Sequence, residues 1–211
     1  RLSLGKSQQV RELKIFMPLD GLEGILLEKA MRQVFDYMER NPDVILLAGT
    51  KTESDAEQER LGRRLQDILE SMGNQNLQVS CPGSEKTQNA ENEQSAPKSR
   101  VRITSYHSEN DLIRILYDTR LILDVRDQPD LYLQIAGISS GIPQVNYRFT
   151  RYVEHLKDGY IIQNINYITG ALEYYLDGLA HWNEALVYCV QEVSSYAGGR
   201  LVEQWKKRLD G

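Results

Sequence analysis

Two cysteines in 211 residues, Cys81 and Cys189, leave no disulfide framework and no thiolate zinc site. The three histidines, His107, His155 and His181, stand far apart and give no HExxH-type spacing, so no metal is expected. No apolar run approaches the ~20 residues that cross a bilayer, and no charged-then-apolar leader opens the chain. Surplus positive charge is also missing. Lys and Arg total 25 against 30 Asp and Glu, a net charge of -5, which excludes a general attraction for nucleic acid and leaves a membrane contact peripheral at most. A G-x-G-x-x-G motif does not follow the first strand, and Gly5-Lys6-Ser7 has no strand before it, so neither a dinucleotide fingerprint nor a P-loop is supported. These absences point to a reducing, cytoplasmic compartment and to a protein without a cofactor.

What is present is a βα rhythm. Leu13–Met17 reads as a strand stopped by Pro18. Asp20-Gly21 then opens a helix with Leu22, Leu26, Leu27, Ala30, Met31, Val34 and Met38 near a 3.6-residue period, and Asn41-Pro42 ends it. Val44–Ala48 is a continuous apolar run of the kind covered on both faces of a parallel sheet. Ser54 or Asp55 caps a second helix, Leu77–Val79 is a third strand, and Val101–Thr104 a fourth. Ser108-Glu109-Asn110-Asp111 starts the next helix, Leu121–Asp124 is a buried strand, Leu131–Ser140 a helix and Ile142–Asn146 the last core strand. Residues 82–100 hold no Val, Ile, Leu, Met or aromatic side chain and are expected to form a polar, mobile surface excursion. Tyr152–Ile162 alternates about Asp158-Gly159 and is expected to make a small hairpin. Helical sequence runs from about Ile168 to Tyr196, with a terminal helix carrying Leu201, Val202, Trp205 and Leu209. The expected fold is α/β: one Rossmann-like, mostly parallel sheet over 1–211, flanked by helices and extended by C-terminal helices. Ligands of such sheets lie at the carboxyl ends of the strands, so the loops after Met17, Ala48, Thr104 and Asp124 should surround one crevice.

The stretch Asp124–Asn146 runs from strand to loop, short apolar helix, Gly141-Ile142-Pro143 turn and strand. It resembles the donor-sugar segment of GT-B glycosyltransferases, in which an E-x7-E pair precedes a G-x-P turn. Asn41–Leu46, Ser108–Leu112 and Val153–Ile162 resemble further segments of the same C-terminal Rossmann half, in order. The two acidic positions of the pair fall on Gln128 and Ala136. A carboxylate accepts two hydrogen bonds from a vicinal diol, whereas alanine accepts none. The first strand–helix junction reads Pro18-Leu19-Asp20-Gly21-Leu22-Glu23-Gly24, with two carboxylates where a diphosphate needs cations; capping of the helix is their simplest role.

Arg126–Ala136, Gly141–Val145 and Tyr152–Ile162 together are most similar to the glycosyltransferase-like accessory secretory protein family of the accessory Sec system of Gram-positive bacteria. That resemblance implies a subunit that transfers no sugar, binds glycan or partner proteins, and helps deliver serine-rich repeat glycoprotein adhesins for export. The implied partners are sister accessory secretory proteins, the motor ATPase and the glycosylated adhesin. The chain, which opens on Arg1, would be the C-terminal half of a longer two-domain protein. The alternative is an active GT-B enzyme using a nucleotide-sugar donor.

Candidate residues for a glycan or ligand cleft are Asp20, Asp124, Arg126, Asp127, Gln128 and Asp130. The spacing of Asp124, Asp127 and Asp130 also suits an N-cap and a solvated loop, the simpler reading. Gly137–Gly141 matches G-x-S-x-G, with Asp177 and His181 downstream. A nucleophile elbow needs a strand before its serine and a helix after it, the reverse of the order here. Eight of the 12 tyrosines and both tryptophans lie beyond Asn146, where helix packing or a partner surface is expected ahead of a sugar platform.

Overall fold

The computed structural model describes residues 12–74, 76–82 and 99–197. Most of the polar stretch 82–100, the terminal helix expected after Gly199, and Gly5-Lys6-Ser7 lie outside the described residues. Seven parallel strands form one sheet in the order β3-β4-β2-β1-β5-β6-β7. They are β1 (Lys14–Pro18), β2 (Ile45–Thr50), β3 (Val79–Ser80), β4 (Val101–Ser105), β5 (Leu121–Asp124), β6 (Gln144–Tyr147) and β7 (Gly159–Ile162). The helices are α1 (Gly24–Arg40), α2 (Asp55–Ser71), α3 (Glu109–Asp118), α4 (Leu131–Ser139), α5 (Ile168–Leu176) and α6 (Leu179–Ala197).

The sheet is buried on both faces because crossover helices cover each side. Ile15, Met17, Leu46 and Leu123 join α1, α2 and α5 in one core through Leu27, Met31, Val34, Leu65, Leu172 and Tyr175. Phe16 and Ile122 point the other way, into a second core with Leu112 and Leu116 of α3 and Leu133 of α4. The alternation within β1, with Ile15 and Met17 on one side and Phe16 on the other, is the period of two that a strand imposes. Strand order reverses between β1 and β5: the chain leaves β1 toward β2 and leaves β5 toward β6, which opens a crevice at their carboxyl ends.

Helix α1 starts later than its apolar period suggests. Gly21 and Gly24 take φ of 74° and 57°, left-handed values, and turn residues 19–23 into a loop with Leu22 buried inside it. Ser54 caps α2 by accepting from the Glu57 amide, and Ser108 and Asp111 complete a capping box on α3.

The expected hairpin over Tyr152–Ile162 is not formed. Gly159–Ile162 is instead a seventh parallel strand beside β6, so β6 is not the last strand of the core. Gly159 serves close approach: a Cβ there would lie 2.5 Å from the Gln144 carbonyl oxygen. The outer edge of β7 is covered by the preceding loop, where the Leu156 amide donates to the Gly159 carbonyl at 2.8 Å and His155 Nδ1 accepts from the Ile161 amide at 3.0 Å. Such local covering protects an edge from pairing with other chains. The long helical stretch is broken between Leu176 and Leu179 into α5 and α6, and Trp182 pins α6 beneath the sheet by donating to the Arg120 carbonyl at 2.8 Å.

Asp158 precedes β7 and is 4% exposed, with its carboxylate accepting from the Glu154 amide at 2.7 Å. Burial pushes its pKa up to about 6, and the negative charges of Glu154 and Glu192 add to the rise. The folded state therefore binds the proton more tightly than the unfolded chain. Stability is greatest with Asp158 protonated and falls as pH rises from about 4 to about 6, by up to ~3 kcal/mol from this group alone. Asp158→Asn is expected to remove that slope from urea midpoints measured between pH 4 and 7 and to raise stability at pH 7. An unchanged slope would show that Asp158 does not carry it.

Candidate functional site

The crevice is assembled by four loops that follow β1, β2, β4 and β5. Asp20 stands at its centre, reached from β1 through Leu19, whose amide donates to the Gly49 carbonyl at 2.8 Å. One carboxylate oxygen of Asp20 accepts from the Lys51 amide at 2.7 Å and from the Thr50 hydroxyl at 3.1 Å. The other accepts from the Tyr106 hydroxyl at 3.2 Å. Burial and the charge on Asp20 both raise the Tyr106 pKa, so the phenol stays a neutral donor. Phe16 meets the Tyr106 ring edge-on with centroids 5.5 Å apart, which fixes that ring from below.

The acidic junction does not cap the helix that its local sequence favours. Neither Asp20 nor Glu23 caps α1: Glu23 occupies the N-cap position without a side-chain hydrogen bond, and Asp20 is spent tying three loops together. Local sequence favours a cap, but parallel pairing of β1 with β2 brings Thr50 and Lys51 beside Asp20, and those donors win. Asp20→Ala should cost ~2–3 kcal/mol, since it strands three donors on the two loops that follow β2 and β4. A fall in the urea midpoint at constant m is the expected reading, and an unchanged midpoint would refute the tie.

On the β5 side, Asp124 is 1% exposed and engages Arg126 through both carboxylate oxygens, Nε at 2.8 Å and Nη2 at 2.7 Å. Burial alone would lower the Arg126 pKa, but the hydrogen bonds and charge of Asp124 outweigh it and raise it. Asp130 is the N-cap of α4, accepting from the Tyr132 and Leu133 amides at 3.0 and 3.3 Å. Its carboxylate also meets Lys51 Nζ at 3.1 Å. Burial pushes the Asp130 carboxyl up, yet Lys51 and the Leu133 amide outweigh that and hold it below the ordinary carboxylate range.

Of the six candidate residues, Asp20 accepts from the Tyr106 hydroxyl and Asp130 pairs with Lys51, whose ammonium lies 5.8 Å from the Tyr106 ring centroid, while the Arg126 charge also acts on Tyr106. Asp124 lies behind them as the partner of Arg126. Asp127 and Gln128 are exposed at the lip of the β5–α4 loop. Three participants escaped the sequence reading: Thr50, Lys51 and Tyr106. Their one signal was position, immediately after strands whose carboxyl ends were expected to line the crevice. Beside it, a cleft of about 280 Å3 opens between the β1–α1 loop and α2, with Glu23, Glu57, Arg60 and Arg64 among its walls. Ser139 of the G-x-S-x-G stretch ends α4 and is exposed, and Asp177 accepts from the Tyr37 hydroxyl at 2.6 Å. These residues do not assemble a nucleophile.

Chemically, the crevice offers a satisfied carboxylate hub, one cation of a buried pair, a lysine committed to a cap and a lip of neutral and acidic side chains. Ala136 packs against the apolar core of α3 and α4.

An accessory Sec system protein from Streptococcus gordonii is 38% identical over 99% of this chain, which spans 40% of that relative. The structure of a Glycosylation Associate Protein (Gap123) complex from Streptococcus agalactiae is similar with a TM-score of 0.80 at 36% identity, covering 97% of this chain and 38% of that one. A structure of accessory secretory proteins 1, 2 and 3 of Streptococcus pneumoniae gives 0.77 at 30% identity, covering 100% and 36%. The C-terminal domain of a group 1 glycosyl transferase from Francisella tularensis gives 0.62 at 8% identity, covering 92% and 91%, a likeness of fold alone. The family model for the first accessory Sec system protein matches residues 1–211, and the chain belongs to that family.

Proposed function

We propose that this chain is the C-terminal Rossmann half of a two-domain, non-catalytic glycosyltransferase-like subunit of the accessory Sec export complex. It acts with sister accessory secretory proteins and the motor ATPase in delivering glycosylated serine-rich repeat adhesins. The work is done in the cytoplasm, with any membrane contact peripheral; among the described residues no helix is long and apolar enough to cross a membrane. The observation that carries the non-catalytic reading is the crevice itself. Its carboxylates are consumed internally, Asp20 by three donors and Asp124 by Arg126, while the positions of the donor-binding pair hold Gln128 and Ala136.

What remains for a ligand is the lip, where Asp127 and Gln128 present hydrogen-bonding groups suited to glycan hydroxyls or a partner's backbone. Pull-down of the full-length protein from a producing cell should recover the sister subunits and the motor ATPase, and recovery of neither overturns the export role. Incubation of the purified protein with nucleotide sugars should give neither saturable binding nor turnover; turnover would restore the enzyme. For glycan contact the informative variant is Asp127→Ala with Gln128→Ala, because Asp130→Ala also removes the α4 cap, worth ~1 kcal/mol.

A further inference from the structure

Helix α4 reads Leu131-Tyr132-Leu133-Gln134-Ile135-Ala136-Gly137-Ile138-Ser139, without one charged residue. Leu133, Gln134, Gly137 and Ile138 are buried beneath it, while Leu131, Tyr132 and Ile135 on its other side are 37%, 39% and 45% exposed. The neighbouring α3 adds Ile113 and Tyr117, exposed 46% and 49%. The two helices are neighbours: Leu112 and Leu116 of α3 share a core with Leu133 and Ala136 of α4, and the negative charge of Glu109 on α3 reaches the Tyr132 phenol of α4.

A helix apolar on all sides is one that is covered. Helix α2 shows what a water-facing helix of this protein looks like, with Asp55, Glu57, Glu59, Arg60, Arg63 and Arg64 on its exposed side. Single exposed apolar residues are ordinary, but five large ones on two adjacent helices form a patch of the kind that marks an interface, and tyrosines are enriched there.

We propose that the α3–α4 face is the surface on which a sister subunit of the export complex docks, that subunit presenting an apolar ridge flanked by basic residues. The inference rests on the export reading above and adds to it the place of contact. The charge around the patch selects the partner's chemistry: Glu109, Asp111, Asp118, Asp127 and Asp130 lie on the two helices or at the amino end of α4, against Arg114 of α3 and Lys51, which is paired with Asp130. An acidic rim on a chain of net charge -5 repels an anionic lipid surface and favours a basic protein one. The similar solved structures from S. agalactiae and S. pneumoniae are themselves multi-protein, as their names state.

The test uses the full-length protein with purified sister subunits. Ile113→Glu with Ile135→Glu places two carboxylates on exposed positions, so the fold should be retained, as its circular dichroism and urea midpoint will report. Tyr167→Glu, at a 64% exposed site on the 3-10 turn before α5, is the control. The double variant should bind the sister subunits at least 100-fold more weakly, with the control unchanged. Binding by the double variant within threefold of wild type overturns the assignment. So does loss of self-association, or of binding to vesicles of neutral or anionic phospholipid, with sister-subunit affinity intact, because a second copy or a membrane would then be the occupant. If the unmodified protein itself fails to bind the sister subunits, the export reading falls rather than the surface alone.

Discussion

Arg126→Ala should destabilise the protein by ~3–5 kcal/mol, among the largest losses that one crevice side chain can cause. The reason is the carboxylate left behind. Asp124 has a side-chain exposure of 1%, and both its oxygens are bonded by the Arg126 guanidinium, with the Arg126 amide adding a third contact at 3.2 Å. Removing the cation leaves a desolvated charge with one weak donor, at the end of a central strand where β5 pairs with both β1 and β6. The double variant Asp124→Ala, Arg126→Ala should recover most of the loss, since replacing both partners of a buried pair costs far less than orphaning one. Urea unfolding of the three variants closes this cycle. If the single and double variants were equally unstable, the loss would come from missing Arg126 packing and not from the stranded charge. The same experiment bears on function, because Arg126 leads the loop that ends in the Asp130 cap.

Trp182→Ala should cost a similar ~3–5 kcal/mol, at the opposite end of the molecule from the crevice. Trp182 is 1% exposed and is the largest fully buried side chain among the described residues. Its indole donates at 2.8 Å to the Arg120 carbonyl, at the start of β5, so one residue both fills the space under α6 and satisfies a strand-end acceptor. Trp182→Phe keeps most of the volume and loses the donor, and ~1 kcal/mol is expected. Hydrogen exchange of α6 amides should rise sharply in the alanine variant while those of β1 and β2 keep their protection. Uniform loss of protection across the sheet would mean that α6 is not a separable unit.

Much of the fold was legible because its signals are local. Apolar runs at Val44–Ala48 and Leu121–Asp124 became central strands β2 and β5, and Ser54 and Ser108 capped their helices as their positions suggested. The misreadings share a cause. Alternation about Asp158-Gly159 looks like a hairpin to any window of ten residues, yet Gly159 is required by the carbonyl of Gln144, fifteen positions away. Leu22 fits the helical period of α1, but Gly21 and Gly24 turn the chain out of helix around it.

The sequence by itself determined that this is a parallel α/β sheet with the loops after β1, β2, β4 and β5 gathered at the carboxyl ends of the strands, and that positions 128 and 136 carry no charge. Backbone sterics and burial fix those features between near neighbours. Only the tertiary structure decided what each carboxylate does. Asp20 could cap a helix, hold a ligand or join loops, and Asp124 could coordinate or pair. The choice depends on Thr50, Lys51 and Tyr106, which reach Asp20 only once the strands before them lie in register. A hydrogen bond is worth most to the donor that arrives without further ordering cost, and the parallel sheet had already set these donors in place.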